Sequence, residues 1–192
     1  MALFVSRKIK LKSGQEIEIR PFQPSDAKSL LNFRRQIATE TTNTMQYIGQ
    51  EYPSIEETGK RLAAQLEDKT TLNVGVFFNE VLIAYLNFRV PWTDHPWVSH
   101  LAQFGMMVLK DFSGLGVGKN LLRIQEEHAL SIGVTRIEAM VRIANERGVK
   151  LYERNGYKIE GTRKKAAFIN NEFVDEYFIA KLLDNESSTN EN

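Results

Sequence analysis

Apolar and polar residues alternate over residues 4–22, where Ile9, Leu11, Ile17 and Ile19 flank the turn Ser13-Gly14-Gln15. A period of two broken by glycine predicts a strand hairpin. The period then lengthens. Pro24-Ser25-Asp26 opens a helix, with Ser25 as the expected cap and Ala27, Leu30, Leu31, Ile37 and Ala38 on one face. Residues 40–53 are polar, aromatic and aperiodic, and read as an irregular connection. Ser54 and Glu57 form a capping box for a second helix, whose expected apolar face is Ile55, Leu62, Ala63 and Leu66. Residues 71–78 and 81–90 are rich in Val, Leu, Ile and Phe on either side of Asn79-Glu80, which predicts two strands and a turn. The loop 91–100 holds both tryptophans, Trp92 and Trp97, together with His95 and His100.

The second half has a different rhythm. A strand over 101–109 runs into Ser113-Gly-Leu-Gly-Val-Gly118-Lys119. A helix follows to about Ile132, with Val117, Leu121, Ala129 and Ile132 inward and Gly133 as the stop. Residues 135–143 read as a strand. Asn145 caps a short helix that ends at Asn155-Gly156, and strands 157–168 and 172–182 turn at Asn170-Asn171. The strand–loop–helix–strand unit at 101–143 is a crossover, so its two strands are expected to be parallel. Antiparallel strands flank it on both sides. The expected fold is mixed α/β: a mostly antiparallel sheet with one parallel pair and helices on both faces. Residues 1–183 read as a single domain, and 184–192 as a polar, frayed tail.

The chain has 192 residues, with 25 Lys+Arg against 24 Asp+Glu, a formal charge of +1 and no cysteine. Lack of cysteine excludes disulfides, thiolate metal sites and a cysteine nucleophile. The balanced charge gives nucleic acid no electrostatic foothold. No apolar run reaches the roughly 20 residues that span a bilayer, and the N-terminal segment is too short for a signal core. The expectation is a cytoplasmic protein without a membrane, nucleic-acid or metal partner.

Three alternating glycines at a strand–helix junction let a ligand approach the backbone, and the helix N-terminus favours an anion such as phosphate. The Walker pattern fails here, because Ser113 stands at its first glycine and Asn120 at its Ser/Thr. The dinucleotide pattern fails as well: counted from Gly114, its third glycine is Lys119.

Segment 101–157 resembles the GNAT (Gcn5-related N-acetyltransferase) family, whose loop Gln/Arg-x-x-Gly-x-Gly/Ala holds the pyrophosphate of coenzyme A. Here that loop is Ser113-Gly-Leu-Gly116-Val-Gly118, with serine in place of the leading Gln/Arg. Asn145-Glu-Arg-Gly-Val-Lys-Leu-Tyr152-Glu-Arg-Asn-Gly-Tyr157 is similar to a second family segment, and Gly161 to Ala180 resembles bacterial members, including those grouped with ribosomal-protein acetyltransferases. The resemblance implies an acetyl-CoA-dependent N-acetyltransferase. The cofactor-binding positions it implies are Met106, Val108, Ser113, Gly114, Gly116, Val117, Gly118, Lys119, Asn145 and Tyr152. It makes the Met106 N–H the oxyanion donor and Tyr152 the general acid. The glutamate that some members use as base corresponds to Ala102, so His100 is the candidate base, with Glu138, Glu40 and a water chain as alternatives. Backbone binding at Met106 is compatible with core packing of its side chain, and Asn145 can both cap and contact the cofactor arm.

The acceptor is expected between residues 37–53, 91–100 and the hairpin tip Phe168–Phe173. Glu40 and Glu51 offer charge, and Tyr47, Tyr52, Trp92 and Trp97 offer walls, although the tryptophans equally suit core or a homodimer contact. Arg163-Lys164-Lys165 reads as a solvated strand edge. The acceptor is a small amine, an antibiotic or a protein N-terminus. A non-catalytic acyl-CoA-binding module and a transferase of another acyl group are the alternatives.

Overall fold

The strands predicted from alternation join into one eight-stranded sheet in the computed structural model, which describes residues 4–183. The expected tail, 184–192, lies outside the described residues. The strands are β1 (Arg7–Lys10), β2 (Glu16–Pro21), β3 (Thr71–Phe78), β4 (Val81–Arg89), β5 (Leu101–Val108), β6 (Arg136–Arg142), β7 (Lys158–Ile169) and β8 (Glu172–Leu182). The helices are α1 (Ala27–Glu40), α2 (Ile55–Glu67), α3 (Val117–Ser131) and α4 (Glu146–Arg154). The spatial order is β1-β2-β3-β4-β5-β6-β8-β7. Every neighbouring pair is antiparallel except β5–β6, the pair joined by the α3 crossover.

Successive side chains on a strand point to opposite faces, and the core divides accordingly. Leu86 and Phe88 of β4 join Ala102, Phe104, Leu121, Leu122, Ile137 and Tyr157 on the face covered by α3 and α4. Tyr85 and Leu82 of β4 join Phe22, Leu30, Phe33, Ile37 and Leu62 on the face covered by α1 and α2. The two hairpin turns place consecutive residues in the left-handed region, Asn79 and Glu80 (φ 48° and 66°) and Asn170 and Asn171 (φ 52° and 66°). That twist suits tight antiparallel connections.

Two local expectations are corrected. Ser25 is exposed and caps nothing; Pro24–Asp26 form a 3-10 turn. Asp26 does the work there. Its carboxylate accepts the Gln23 N–H at 2.7 Å and binds both terminal nitrogens of Arg20 at 2.6 and 2.9 Å. On α2 the capping box forms as expected, with Glu57 N–H donating to Ser54 Oγ at 3.1 Å and Ser54 N–H to Glu57 Oε2 at 2.9 Å. Its apolar face differs, because Ile55 is 54% exposed and the buried positions are Thr58 and Leu62. The helix leans on the α1 entry through Gly59, where a Cβ would stand 3.3 Å from the Pro24 carbonyl oxygen.

Candidate active site

The sheet opens at its parallel pair. β5 and β6 are in register for three residues only, Leu101–Arg136, Ala102–Ile137 and Gln103–Glu138. Beyond that point β5 follows β4 to Val108, while β6 follows β8 to Arg142. The two strands part there, and the opening between them is the cleft of the candidate site. The Leu109 N–H bonds to Ile83 O of the β4 side at 2.9 Å. Backbone direction alternates along a strand, so the N–H groups of Met106 and Val108 face the cleft. These are unpaired strand-edge donors, ready to bind an extended ligand as an added strand would be bound.

At the cleft end β5 runs through a 3-10 turn, Lys110–Phe112, into the glycine loop. Gly114 and Gly116 have φ of 81° and 99°, a region L side chains rarely adopt. Nothing lies within 4 Å of a Cβ built on Gly116, so the space above the loop is open. Gly116 is the N-cap of α3, and the first bond of that helix is Asn120 N–H to Gly116 O at 3.2 Å. The N–H groups of Val117, Gly118 and Lys119 are therefore unclaimed by the helix, and they add to its dipole as an anion site. Gly118 serves packing: a Cβ there would meet Leu151 Cδ2 at 2.7 Å and Met106 Cε at 3.5 Å.

Sequence reasoning missed one side chain that lies against this loop. The Arg147 guanidinium lies against Gly114, with Nη2 in the space a Cβ would take. Arg147 is exposed and has no ion-pair partner among the described residues. It follows Asn145 by two positions, and only the packing of α4 beside the loop brings a cation here. Asn145 caps α4 as expected, accepting the Gly148 N–H at 3.0 Å on Oδ1. Its Nδ2 makes no hydrogen bond among the described residues and remains available as a donor.

Tyr152 stands on α4 with its ring edge-on to Phe104 at 5.7 Å and to Tyr157 at 5.7 Å. It is 9% exposed, and its hydroxyl has no hydrogen-bond partner among the described residues. Burial pushes its pKa up to about 12, so the phenol keeps its proton at neutral pH. Tyr157 is different: its hydroxyl accepts from Gln125 Nε2 at 2.5 Å. That bond satisfies it in the core.

Other expected residues fall elsewhere. His100 precedes β5 at the end opposite the glycine loop, where its carbonyl accepts the N–H groups of Thr135 and Arg136. Six residues at the strand rise separate it from Met106 by about 20 Å, so the structure does not bring the two together. Ala102 is fully buried on the α3 face. The loop 91–100 shares that remote end. Trp92 is 47% and Trp97 80% exposed, Trp97 lying edge-on to His95 at 5.9 Å, which removes the core reading of the tryptophans. Glu40 is already committed, accepting the Lys110 N–H at 2.8 Å and so tying the end of α1 to the entry of the glycine loop. Ser113 donates to Leu109 O at 3.4 Å, which directs its hydroxyl back along the chain. Glu138 is buried at the apex of the cleft and accepts from Gln103 Nε2 at 3.2 Å and Arg136 Nε at 3.3 Å.

Of the segments expected around the acceptor, one touches β5 and another lies beyond the end of β6. Thr44, in the irregular connection, donates its hydroxyl to Met107 Sδ at 3.2 Å. The tip Phe168–Phe173 has its rings 4.9 Å apart and extends past Arg142, the cleft end of β6. Arg163 and Lys164 pair with Glu176 and Asp175, as a solvated edge strand does. Among the described residues no helix is long and apolar enough to cross a membrane.

The sequence profile of the Acetyltransferase (GNAT) family matches residues 35–157. The L-amino acid N-acetyltransferase AaaT of Escherichia coli (strain K12) is 39% identical over 90 residues, 46% of this chain. The chain spans 56% of that relative's length. The crystal structure of an acetyltransferase of the GNAT family from Streptococcus pneumoniae superposes with a TM-score of 0.81 at 25% identity, covering 88% of this chain and 99% of that one. The structure of yncA, a putative acetyltransferase from Salmonella typhimurium with its cofactor acetyl-CoA, superposes with a TM-score of 0.75 at 15% identity, covering 90% and 96%.

Proposed function

The chain belongs to the GNAT acetyltransferase family, and from that premise we propose that it transfers acetyl from acetyl-CoA to the nitrogen of an amine. The observation that carries this reading is the unpaired edge of β5. Two N–H groups, of Met106 and Val108, face a cleft that runs into a glycine loop with three further N–H groups and Arg147. An extended chain ending in a pyrophosphate fits that series of donors. Gly114, Gly116, Val117, Gly118, Lys119 and Arg147 hold the phosphates, Asn145 Nδ2 and the β5 edge hold the arm, and the ligand supplies an activated acetyl thioester. Ser113 takes part by fixing the backbone that leads into the loop.

The residues divide the chemistry between them. The amine nitrogen forms a bond to the carbonyl carbon, the carbon–sulfur bond breaks, and the amine releases a proton to water. The Met106 N–H donates to the carbonyl oxygen as charge grows there, a fixed dipole that needs no rearrangement. Tyr152 holds the proton for the leaving sulfur. Its raised pKa keeps it protonated across the physiological range. His100 has no part in this reading, because it lies at the other end of β5.

The unbroken sheet supports residues 1–183 as one catalytic domain, and the need for acetyl-CoA supports a cytoplasmic site of action. The 39% identical relative is named for L-amino acids, which supports small amines among the acceptors.

Calorimetric titration with acetyl-CoA, and with ATP and NAD as controls, tests the binding half. Tyr152→Phe tests the chemistry. It is expected to slow turnover about 100-fold while acetyl-CoA affinity stays unchanged. Full activity in that variant would remove the acid role. Binding without transfer to any amine would leave an acyl-CoA-binding module.

A further inference from the structure

Arg142 ends β6, on the sheet face that also carries Glu138 and Met140. Its side chain is 10% exposed. Yet its Nη1 is buried without a hydrogen-bond partner among the described residues. Its ionic neighbour is Glu176 of β8, with Nε 3.8 Å from Oε1. Glu176 is shared, because Arg163 Nη1 binds its other oxygen at 3.0 Å. Two guanidinium groups thus meet one carboxylate, and one positive charge is uncompensated. Desolvation lowers the Arg142 pKa, with Glu176 pulling the other way. A buried donor with nothing to donate to is costly to maintain, and an anionic ligand would satisfy it.

The register gives its position. Gln103 and Glu138 are the last paired residues of β5 and β6. Met107 and Arg142 each lie four positions further on, on the same face, on opposite banks of the cleft. The Met107 bank has unsatisfied groups of its own. Thr44 touches Met107 and accepts the Gln46 N–H at 2.9 Å, while Gln46 Oε1 is buried without a partner. Arg34 of α1 lies 5.9 Å from the ring centre of Tyr85, the β4 neighbour of Met107, and its Nε is also buried and unpartnered. Cationic donors on both banks and an amide acceptor on one suit a small molecule bearing both negative charge and N–H groups.

We propose that the acceptor is a small amino-carboxylate, anchored through its carboxylate by Arg142 on the β6 bank. The proposal rests on the acetyltransferase reading and narrows it. Polyamines meet the uncompensated positive charge and are disfavoured. Protein N-termini lack a carboxylate beside the amine and leave Arg142 unsatisfied.

Free L-amino acids are compared with their amides as acceptors for the full chain, following thiol release from acetyl-CoA. The best acid is expected to exceed its own amide about 10- to 100-fold in kcat/KM, the range of a charged hydrogen bond. Arg142→Gln raises KM for the acid by a similar factor, with turnover of the amide and affinity for acetyl-CoA unchanged. Arg142→Lys recovers part of the loss. If the single variant fails to fold, Arg142→Gln with Glu176→Gln removes both charges together and gives the same comparison. Equal use of acid and amide by the wild-type protein overturns the proposal, and so does a preference for polyamines or peptide N-termini. Acetyl-CoA binding with no free amino acid acetylated overturns the carboxylate assignment alone. Failure to bind acetyl-CoA overturns the acetyltransferase reading beneath it.

Discussion

His128 is 6% exposed, edge-on to Phe88 at 5.3 Å, and neither ring nitrogen has a partner among the described residues. Burial lowers its pKa below 6.5. The folded state therefore holds the neutral ring, while the unfolded chain takes a proton near the ordinary value of about 6.5. Stability is complete above that pH and falls as pH drops from there towards the folded pKa. Thermal melts at pH 7.5 and 5.0 are expected to show a clear loss for the wild-type protein and a smaller one for His128→Leu. An equal loss in both would assign the effect to other groups. At the same scale, Asp26 shows how partners outweigh burial. Desolvation pushes its pKa up, but the bonds from Arg20 and the Gln23 N–H carry it below the usual carboxylate value. Neither environment is written in the neighbouring sequence, because Phe88 and Arg20 reach these residues only through the fold.

The glycine loop is the element in which sequence and structure agree most fully. Its glycines are legible because the loop needs φ values that only glycine adopts freely, and Asn145 is legible because helix capping is local. Arg147 is not legible, since only the packing of α4 brings it beside the loop. Gly116→Glu fills open space with a like charge at a left-handed position. It is expected to abolish acetyl-CoA binding in calorimetry while circular dichroism remains native. Arg147→Ala is expected to weaken that binding about 10-fold at low salt and less at 0.5 M, as a solvent-exposed charge contact does. No salt dependence would separate Arg147 from the phosphates. Helix faces are less legible than loops: on α2 Ile55 is exposed, and the buried positions are Thr58 and Leu62.

For the molecule as a whole, the splay of β5 from β6 places the cleft between the two helix layers, with the α3 and α4 face on one side and the α1 and α2 face on the other. A ligand in that cleft bridges elements far apart in the chain, from Thr44 to Tyr152. Binding to the folded state alone raises stability by about 2.7 kcal/mol at a ligand concentration 100 times Kd. Acetyl-CoA is thus expected to raise the melting temperature, with the greatest hydrogen-exchange protection in β5, the α3 N-terminus and α4. An unchanged melting temperature at saturating concentration would count against the site.

The sequence by itself determined the local features: the strand and helix periods, the glycine loop, the Ser54 and Asn145 caps, the Asn79-Glu80 and Asn170-Asn171 turns and the crossover that makes β5 and β6 parallel. Each depends on residues close in the chain, so its physics is local. The tertiary structure alone decided which charges and polar atoms meet. It engaged Glu40 with Lys110, brought Arg147 to Gly114 and left Arg142 beside Glu176 with a buried, unpartnered donor. Those outcomes follow from strand register and helix docking, which bring together residues separated by tens of positions.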